Sequence, residues 1–242
     1  AHDLAMDLNS CGRDGDQRFA KIVLFGKSFE VLEMLLEDDR IDVNAYDNQG
    51  STALIDIYGG SDYHGFSHNR DEETVLQIID LLQESPRIDV NLVDNKGRTA
   101  FHFACQHDNS RKDGRRAELF LKMAAERGDI DVNQKDRKGR TPAHFAFRYK
   151  YSYGIGPFLP PFTLSKFSAT IEVILKYVKN LGIDLNAVDN DGKTPLHFLY
   201  SSRKKSLVSQ FLEAAENEYG ITFDVNIVDR YGRTPIQYAN EN

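Results

Sequence analysis

The stretch Ile130-Asp131-Val132-Asn133-Gln134-Lys135-Asp136-Arg137-Lys138-Gly139-Arg140-Thr141-Pro142-Ala143-His144 decides the fold, because its skeleton occurs five times. That skeleton is Ile/Phe-Asp-Val/Leu-Asn, two residues, Asp, two residues, Gly, one residue, Thr. Two copies precede the quoted one: Ile41-Asp42-Val43-Asn44 with Asp47, Gly50 and Thr52, and Ile88-Asp89-Val90-Asn91 with Asp94, Gly97 and Thr99. Two follow it: Ile183-Asp184-Leu185-Asn186 with Asp189, Gly192 and Thr194, and Phe223-Asp224-Val225-Asn226 with Asp229, Gly232 and Thr234. Self-similarity at such a spacing is the mark of a chain built from stacked units.

Each position in the phrase has a physical task. An Asp opening a four-residue turn accepts hydrogen bonds from backbone N–H groups two residues on, and a Gly three later takes positive φ without a steric penalty. The Thr beyond it is placed as a helix N-cap, its hydroxyl meeting the free N–H groups of the first turn. Pro142, Pro195 and Pro235 then stand at the first helical position, where a missing donor costs nothing. Short apolar segments follow: Ala100-Phe101-His102-Phe103-Ala104, Ala143-His144-Phe145-Ala146 and Leu196-His197-Phe198-Leu199. After a variable stretch, apolar residues recur at helical spacing. They are Val31, Leu32, Leu35 and Leu36; Val75, Ile78, Ile79 and Leu82; Leu119, Phe120 and Met123; Ile171, Ile174, Leu175 and Val178; Leu207, Phe211 and Leu212. The unit is therefore turn, short helix, loop, longer helix.

This unit resembles the ankyrin repeat. The family's Thr-Pro-x-His motif stands here as Thr141-Pro142-Ala143-His144 and Thr194-Pro195-Leu196-His197, with Thr99-Ala100-Phe101-His102 close behind. The resemblance implies an all-α ankyrin-repeat solenoid of about five helix–turn–helix repeats, partial at both ends, with short β-turn fingers. It divides the single domain of residues 1–242 into an opening repeat 1–46, then 47–93, 94–135, 136–188 and 189–228, and a partial closing repeat 229–242. Residues 17–24 and 29–36 are expected as the two helices of the opening repeat. The resemblance also implies a structural hydrogen bond from each motif histidine to the adjacent repeat.

Composition agrees with a folded, soluble chain. Of 242 residues, 40% are hydrophobic and 28% charged, which excludes a disordered polyelectrolyte. A net charge of −7 argues against binding nucleic acid by phosphate neutralisation. No run of about 18 uncharged apolar residues exists, so membrane insertion is not expected. Two cysteines, Cys11 and Cys105, make neither a disulfide framework nor a four-cysteine zinc site, and point to a reducing compartment; the expected location is cytoplasmic or nuclear, or a host cytosol if the chain is an injected effector. The chain starts Ala-His-Asp-Leu-Ala-Met, without a secretory pattern and without an initiating Met, as a piece of a longer protein would.

The departures from the family locate function. Successive turn glycines lie 47, 42, 53 and 40 residues apart, against a standard period of about 33, so the repeats carry roughly 14, 9, 20 and 7 extra residues. With turns and helices intact, much of this length falls between first and second helices, on one rim, and such insertions often mark a binding face. The first insertion, residues 59–71, holds His64 and His68, but in a Gly/Ser-rich loop that favours solvent over metal. The second (Arg111, Lys112, Arg115, Arg116) and the fourth (Arg203, Lys204, Lys205) are basic and are expected as solvated rims. The third gathers Tyr149, Tyr151, Tyr153, Phe158, Phe162 and Phe167 with Pro157, Pro160 and Pro161. Such aromatics either cover neighbouring helices or anchor a partner.

Protein recognition is the expected function, by a monomer without cofactor. The candidate contact residues are Arg137 and Lys138 at one turn tip, Tyr149, Tyr151, Tyr153, Phe158 and Phe162 in the insertion, and Tyr231 at the last tip. Insertion-bearing repeats of this kind resemble those of host-directed bacterial effectors and of fungal or protist scaffolds. The boundary asparagines Asn44, Asn91, Asn133, Asn186 and Asn226 resemble the position that an asparaginyl hydroxylase modifies in ankyrin proteins; the competing reading is a buried structural amide. His102, Cys105 and His107 could pair a nucleophile with a base. However, His144 and His197 occupy the same motif place with no cysteine nearby, and one structural role explains all three motif histidines. An enzyme or modification platform, with its active residues in the insertions or in an adjoining domain, is the alternative.

Overall fold

In the computed structural model, residues 18–25, 28–59, 72–111, 114–148, 168–202 and 205–240 are described. The chain divides into two compact units, Ala1–Phe103 and Ala104–Asn242. Every regular element among the described residues is helical.

The first unit begins with α1 (Arg18–Phe25) and α2 (Phe29–Glu37), the opening pair expected from the sequence. Ser28 caps α2, its Oγ accepting from Val31 N–H at 3.4 Å. The first phrase follows, then α3 (Ala53–Gly59) and α4 (Glu72–Glu84). First helices pack on first helices and second on second: α1 lies against α3, α2 against α4. Each side of that arrangement buries one apolar face. α3 has no exposed side, since all its residues from Ala53 to Gly59 are buried. On α4, Val75, Ile78, Ile79 and Leu82 form the buried stripe that their spacing predicts. Burying each such side chain contributes about 1.5–3 kcal/mol. Arg87 closes the C-terminal end of α2, donating to the carbonyls of Leu36 (2.8 Å), Asp38 (2.9 Å) and Ile41 (2.5 Å).

The first helix of the next repeat, α5 (Ala100–Arg111), starts in the first unit and continues into the second. The second unit then holds α6 (Arg115–Arg127), α7 (Pro142–Phe147), α8 (Ala169–Leu181), α9 (Pro195–Ser202), α10 (Lys205–Tyr219) and a 3-10 helix (Pro235–Asn240). The same layering recurs. α7 packs on α9 and α9 on the 3-10 helix, while α6 packs on α8 and α8 on α10. Phe120, Phe211 and Phe147 are fully buried between these layers, and Phe147 meets Phe211 edge-on with ring centroids 5.9 Å apart.

Three expectations need correction. Val31, placed on the buried stripe of α2, is 47% exposed, because Leu32 and Leu36 already fill that face. Arg116, grouped with a solvated basic rim, is one of the largest fully buried side chains; it lies one residue into α6, on the face that carries Ala117, Phe120 and Leu121 inward. The first helix is not short in every copy: α5 runs for 12 residues, so helix absorbs length that the spacing assigned to loop. The remaining breaks, at 60–71, 112–114, 148–168 and 203–204, do fall between first and second helices.

Candidate interaction surface

The five phrases fold into five turns of one design. In each, the second Asp spans its own turn. Asp136 Oδ1 accepts from Lys138 N–H and Arg140 N–H, both at 2.9 Å, while Gly139 N–H donates to Asp136 O at 2.8 Å. Asp47, Asp94, Asp189 and Asp229 repeat this geometry. The glycine closing each turn has positive φ, +69° to +78° across Gly50, Gly97, Gly139, Gly192 and Gly232. At Gly139 the freedom is essential twice over, since a Cβ there would sit 2.8 Å from the backbone N of Asn190.

That closeness reflects a ladder between tips. Asn190 N–H donates to Lys138 O at 2.9 Å, and Arg230 N–H to Asp191 O at 2.8 Å. In the first unit Asn95 N–H donates to Gln49 O at 3.0 Å. The boundary asparagines add rungs. Asn133 donates through Nδ2 to Gly182 O at 2.8 Å and accepts at Oδ1 from Asp184 N–H at 2.8 Å. Asn44 does the same with Arg87 O and Asp89 N–H, and Asn186 accepts from Asp224 N–H. These amides are not buried as expected: Asn44, Asn133 and Asn186 are half-buried, and Asn91 and Asn226 are exposed. They cross the groove between consecutive turns at the surface, satisfying backbone groups that water would otherwise meet.

The motif histidines sit at the corner where turn becomes helix. Thr52 caps α3 as expected, accepting from Ile55 N–H at 3.3 Å. In the histidine-bearing copies the Thr hydroxyl lies beside the ring, 3.0 Å from Nδ1 at Thr99–His102 and Thr141–His144 and 2.9 Å at Thr194–His197, and Thr141 and His144 form a capping box. Each Nδ1 also accepts from the Thr backbone N–H, at 3.0–3.1 Å. On the far side His144 Nε2 is 2.9 Å from Lys193 O, and His197 Nε2 is 3.1 Å from Arg233 O. A carbonyl only accepts and an N–H only donates, so the proton is on Nε2 and the ring is neutral. The expected repeat-to-repeat hydrogen bond is thus present at both residues. Burial pushes both imidazoles below the ordinary histidine range, and this outweighs the nearby carbonyls and carboxylates that favour the charge.

The sequence pattern holds a further regularity that its apolar spacing does not bring out. Gly97-Arg98-Thr99, Gly139-Arg140-Thr141 and Gly232-Arg233-Thr234 each place an arginine four residues after the turn Asp. Arg98 and Arg140 grip Asp94 and Asp136 through Nε and Nη2 at 2.6–3.0 Å, and Arg233 grips Asp229 at 3.1 Å. Each guanidinium lies over an aromatic ring five residues on: Phe103 at 4.4 Å, Phe145 at 4.6 Å, Tyr238 at 4.5 Å. The Gly-Arg-Thr triplet was the available signal. For Asp94 and Asp136, burial raises the carboxyl, but hydrogen bonds from the arginine side chain and backbone overcome it and hold both below the usual range.

These shifts fix a pH response. A histidine with a lowered folded-state pKa takes up its proton in the unfolded chain first, so stability holds above about pH 6.5 and declines as pH falls below it. The depressed aspartates act in the same direction at lower pH, below about 4, where unfolded carboxylates protonate. The melting temperature should therefore drop in two stages, the first between pH 7 and 5. Thermal melts across pH 7.5–3 check this; a flat profile down to pH 4.5 would show that the histidines do not titrate on unfolding.

Arg137 and Lys138 are exposed at their tip. Neither makes an ion pair with a described residue, whereas Arg140, Arg230 and Arg233 are matched to Asp136, Asp191 and Asp229. Tyr231 is 63% exposed; its hydroxyl accepts from Arg230 at 2.6 Å, and its ring lies under Arg230 (4.8 Å) and Arg233 (5.1 Å). The ladder through Asn190 and Asp191 sets both tips on one edge. Tyr149, Tyr151, Tyr153, Phe158 and Phe162 lie outside the described residues, as do Phe167, His64, His68, Lys112, Arg203 and Lys204. The root of that third insertion is nevertheless fixed. It leaves the C-terminal end of α7, and the Arg137-Lys138 tip precedes its N-terminal end, so six residues of helix, about 9 Å, separate the two. His102 and Cys105 are fully buried, which keeps that pair from any solvent-borne substrate. No group of three or more His, Cys, Asp or Glu that could hold a metal occurs among the described residues, and no described helix is long and apolar enough to cross a membrane.

Asx-turn fingers, Thr–His corners and two layers of paired helices define the ankyrin-repeat fold. Among solved structures the chain is similar to the crystal structure of the ankyrin repeat domain of Bcl-3, a member of the IκB protein family. The two share 19% identity with a TM-score of 0.62, over 94% of this chain and 81% of that one. No family model and no curated protein matches the sequence.

Proposed function

We propose that the protein is a protein-binding module whose docking edge runs along the turn tips of the second unit. Arg137, Lys138 and Tyr231 are its fixed contacts, and the aromatic insertion of residues 149–167 is a second contact. The observation that carries this reading is the contrast among the cations. The structural arginines at the turns are matched to carboxylates, while Arg137 and Lys138 project from a rigid turn with none among the described residues. Unmatched cations on a preorganised edge favour an acidic segment on the partner, and the exposed Tyr231 adds an aromatic anchor. An overall charge of −7 disfavours a polyanionic nucleic acid as that partner.

Affinity capture with mass spectrometry, run in parallel on three forms, tests the proposal: the wild type, Arg137→Glu/Lys138→Glu, and Tyr151→Ala/Tyr153→Ala/Phe158→Ala. A partner retained by the wild type should be lost from the charge-reversed form, whose melting temperature should match wild type within about 2 °C, since surface changes rarely exceed 0.5 kcal/mol. If the insertion docks, the triple variant should lose about 2 kcal/mol or more of binding with little change in melting. If the insertion is a cover, it should melt earlier and bind equally well per folded molecule. Equal capture by all three forms would remove both contacts from the docking edge.

A further inference from the structure

Of the described tyrosines, Tyr46 and Tyr231 are exposed, at 43% and 63%; Tyr177 and Tyr219 are half-buried, and Tyr58, Tyr200 and Tyr238 are buried. Tyr231 stands two residues after the turn Asp of its phrase. Its exposure belongs to that position in the turn and not to its place in the stack. Gln49, Lys96 and Lys138 hold the same position, each with a further phrase beyond it in the chain, and all three are exposed. The chemistry around the hydroxyl sets Tyr231 apart. The other tips read Asn48-Gln49, Asn95-Lys96, Arg137-Lys138 and Asn190-Asp191, and none of them carries a hydroxyl. The Tyr231 hydroxyl accepts from Arg230 Nη2 at 2.6 Å. The guanidinium carbon of Arg230 lies 4.8 Å from the ring centroid, and that of Arg233 lies 5.1 Å away. Two cations flank one phenol.

The nearby carboxylates are already engaged. Asp229 accepts the backbone N–H of Tyr231 and Arg233 at Oδ1, and the side chains of Arg233 and Tyr238 at Oδ2. Asp191 pairs with Arg230 Nη1 at 2.9 Å, on the prong of the fork that Tyr231 does not use. Both partners of that pair are exposed, so it contributes little and yields readily. Tyr46 has the opposite surroundings. Partial burial, and then the Asp89 carboxylate, push its phenol above the ordinary range, so further negative charge there meets repulsion.

We infer that Tyr231 is a phosphoacceptor, at which a protein tyrosine kinase places a phosphate that Arg230 then clasps. In that step Tyr231 Oη attacks the γ-phosphorus of kinase-bound ATP. The new O–P bond forms as the bond to the β-phosphate oxygen breaks, ADP leaves, and the phenol proton passes to the kinase's general base. The product carries about −1.5 to −2 charges and three acceptor oxygens at the end of the ring. Arg230 Nη2 already lies within hydrogen-bond distance of the oxygen that becomes the bridge. A small side-chain adjustment therefore brings its planar fork onto the phosphate bidentately. Arg233, held by Asp229 and Tyr238, stays in place as a second positive charge. The phosphate, with the larger charge, outcompetes the single Asp191 carboxylate for the Arg230 fork. The backbone hydrogen bond from Arg230 N–H to Asp191 O, at 2.8 Å, is untouched, so the ladder between tips survives. On the docking edge proposed above, the added negative charge offsets Arg137 and Lys138 and releases an acidic segment. That consequence rests on the docking reading; the phosphoacceptor itself does not.

Incubation of the full chain with magnesium, ATP and a broad-specificity tyrosine kinase, followed by peptide mapping in a mass spectrometer, tests the acceptor. Tyr231 should carry more phosphate than Tyr46 at every time point. Tyr231→Phe should remove that label and, at an exposed position, melt as wild type does. Phosphorus NMR of the phosphorylated chain tests the clasp. The second ionisation of a free phosphotyrosine lies near pH 6. Beside Arg230 it should fall by about half a unit or more, and Arg230→Gln should raise it again. A Tyr231 that stays unmodified in the folded chain overturns the inference, as does a phosphate that titrates alike in wild type and Arg230→Gln. A chain that shows the shifted phosphate and still retains an acidic partner counts against the docking edge and upholds the phosphoacceptor.

Discussion

Replacing Gly139 by valine should destabilise the protein by about 3 kcal/mol or more, a fall in melting temperature of roughly 10 °C. Two causes add. A β-branched residue at φ +74° is strained in its own backbone, and its Cβ would press on the backbone of Asn190, which has no rotamer to yield. Gly182 separates them. It has φ +65°, and a Cβ added there would meet nothing within 4 Å, so Gly182→Val meets the first cause alone and should cost about 1–2 kcal/mol. Denaturant melts of both variants give the difference, which is the contribution of tip-to-tip contact. Equal losses would mean that the tips do not touch in solution.

His144→Ala should cost a similar amount, about 3–4 kcal/mol. It removes the acceptor for the buried Thr141 N–H and the donor to the part-buried Lys193 O, and it strips the edge-on contact with Phe198, whose ring centroid lies 5.7 Å away. The last copy suggests the partial repair. Gln237 Oε1 accepts the Thr234 N–H at 2.7 Å, so His144→Gln should keep that half of the corner and recover part of the loss. Urea melts of the wild type and both variants check this order: wild type, then glutamine, then alanine. Alanine and glutamine variants of equal stability would show that the Thr corner carries little energy.

Much of the fold could be read from one phrase because the phrase is a local device. Asp, Gly and Thr act within a few residues of one another, so their chemistry survives without knowledge of distant contacts, and the turns form where the spacing puts them. The histidines were legible for the same reason: three copies of one corner favour a shared structural task over a catalytic one. The errors lie where side-chain direction depends on neighbours. Val31 and Leu32 are equally apolar, and only the packing of α2 on α4 decides which of them turns inward. Arg116 resembles its exposed neighbour Arg115 in sequence, and one step around α6 separates the core from solvent. The extension of α5 to Arg111 was hidden because polar residues in the order Gln106-His107-Asp108-Asn109-Ser110 give no apolar stripe to follow. The Asp–Arg grip was within reach, since Gly-Arg-Thr occurs three times, but a lone arginine beside a turn is usually taken as surface charge. For the candidate surface, sequence spacing found the tips and not the distance from the aromatic insertion, which depends on the length of α7.

The central claim is that consecutive turns are joined through neutral, doubly hydrogen-bonded histidines, and nitrogen NMR of the imidazole rings tests it most directly. The account predicts that His144 and His197 hold a proton on Nε2 alone, with Nδ1 unprotonated, and that both rings stay in this form as pH is lowered past about 6.5, where a free imidazole would be half charged. Rings that exchange between tautomers, or that titrate near pH 6.5 while the protein remains folded, would contradict it.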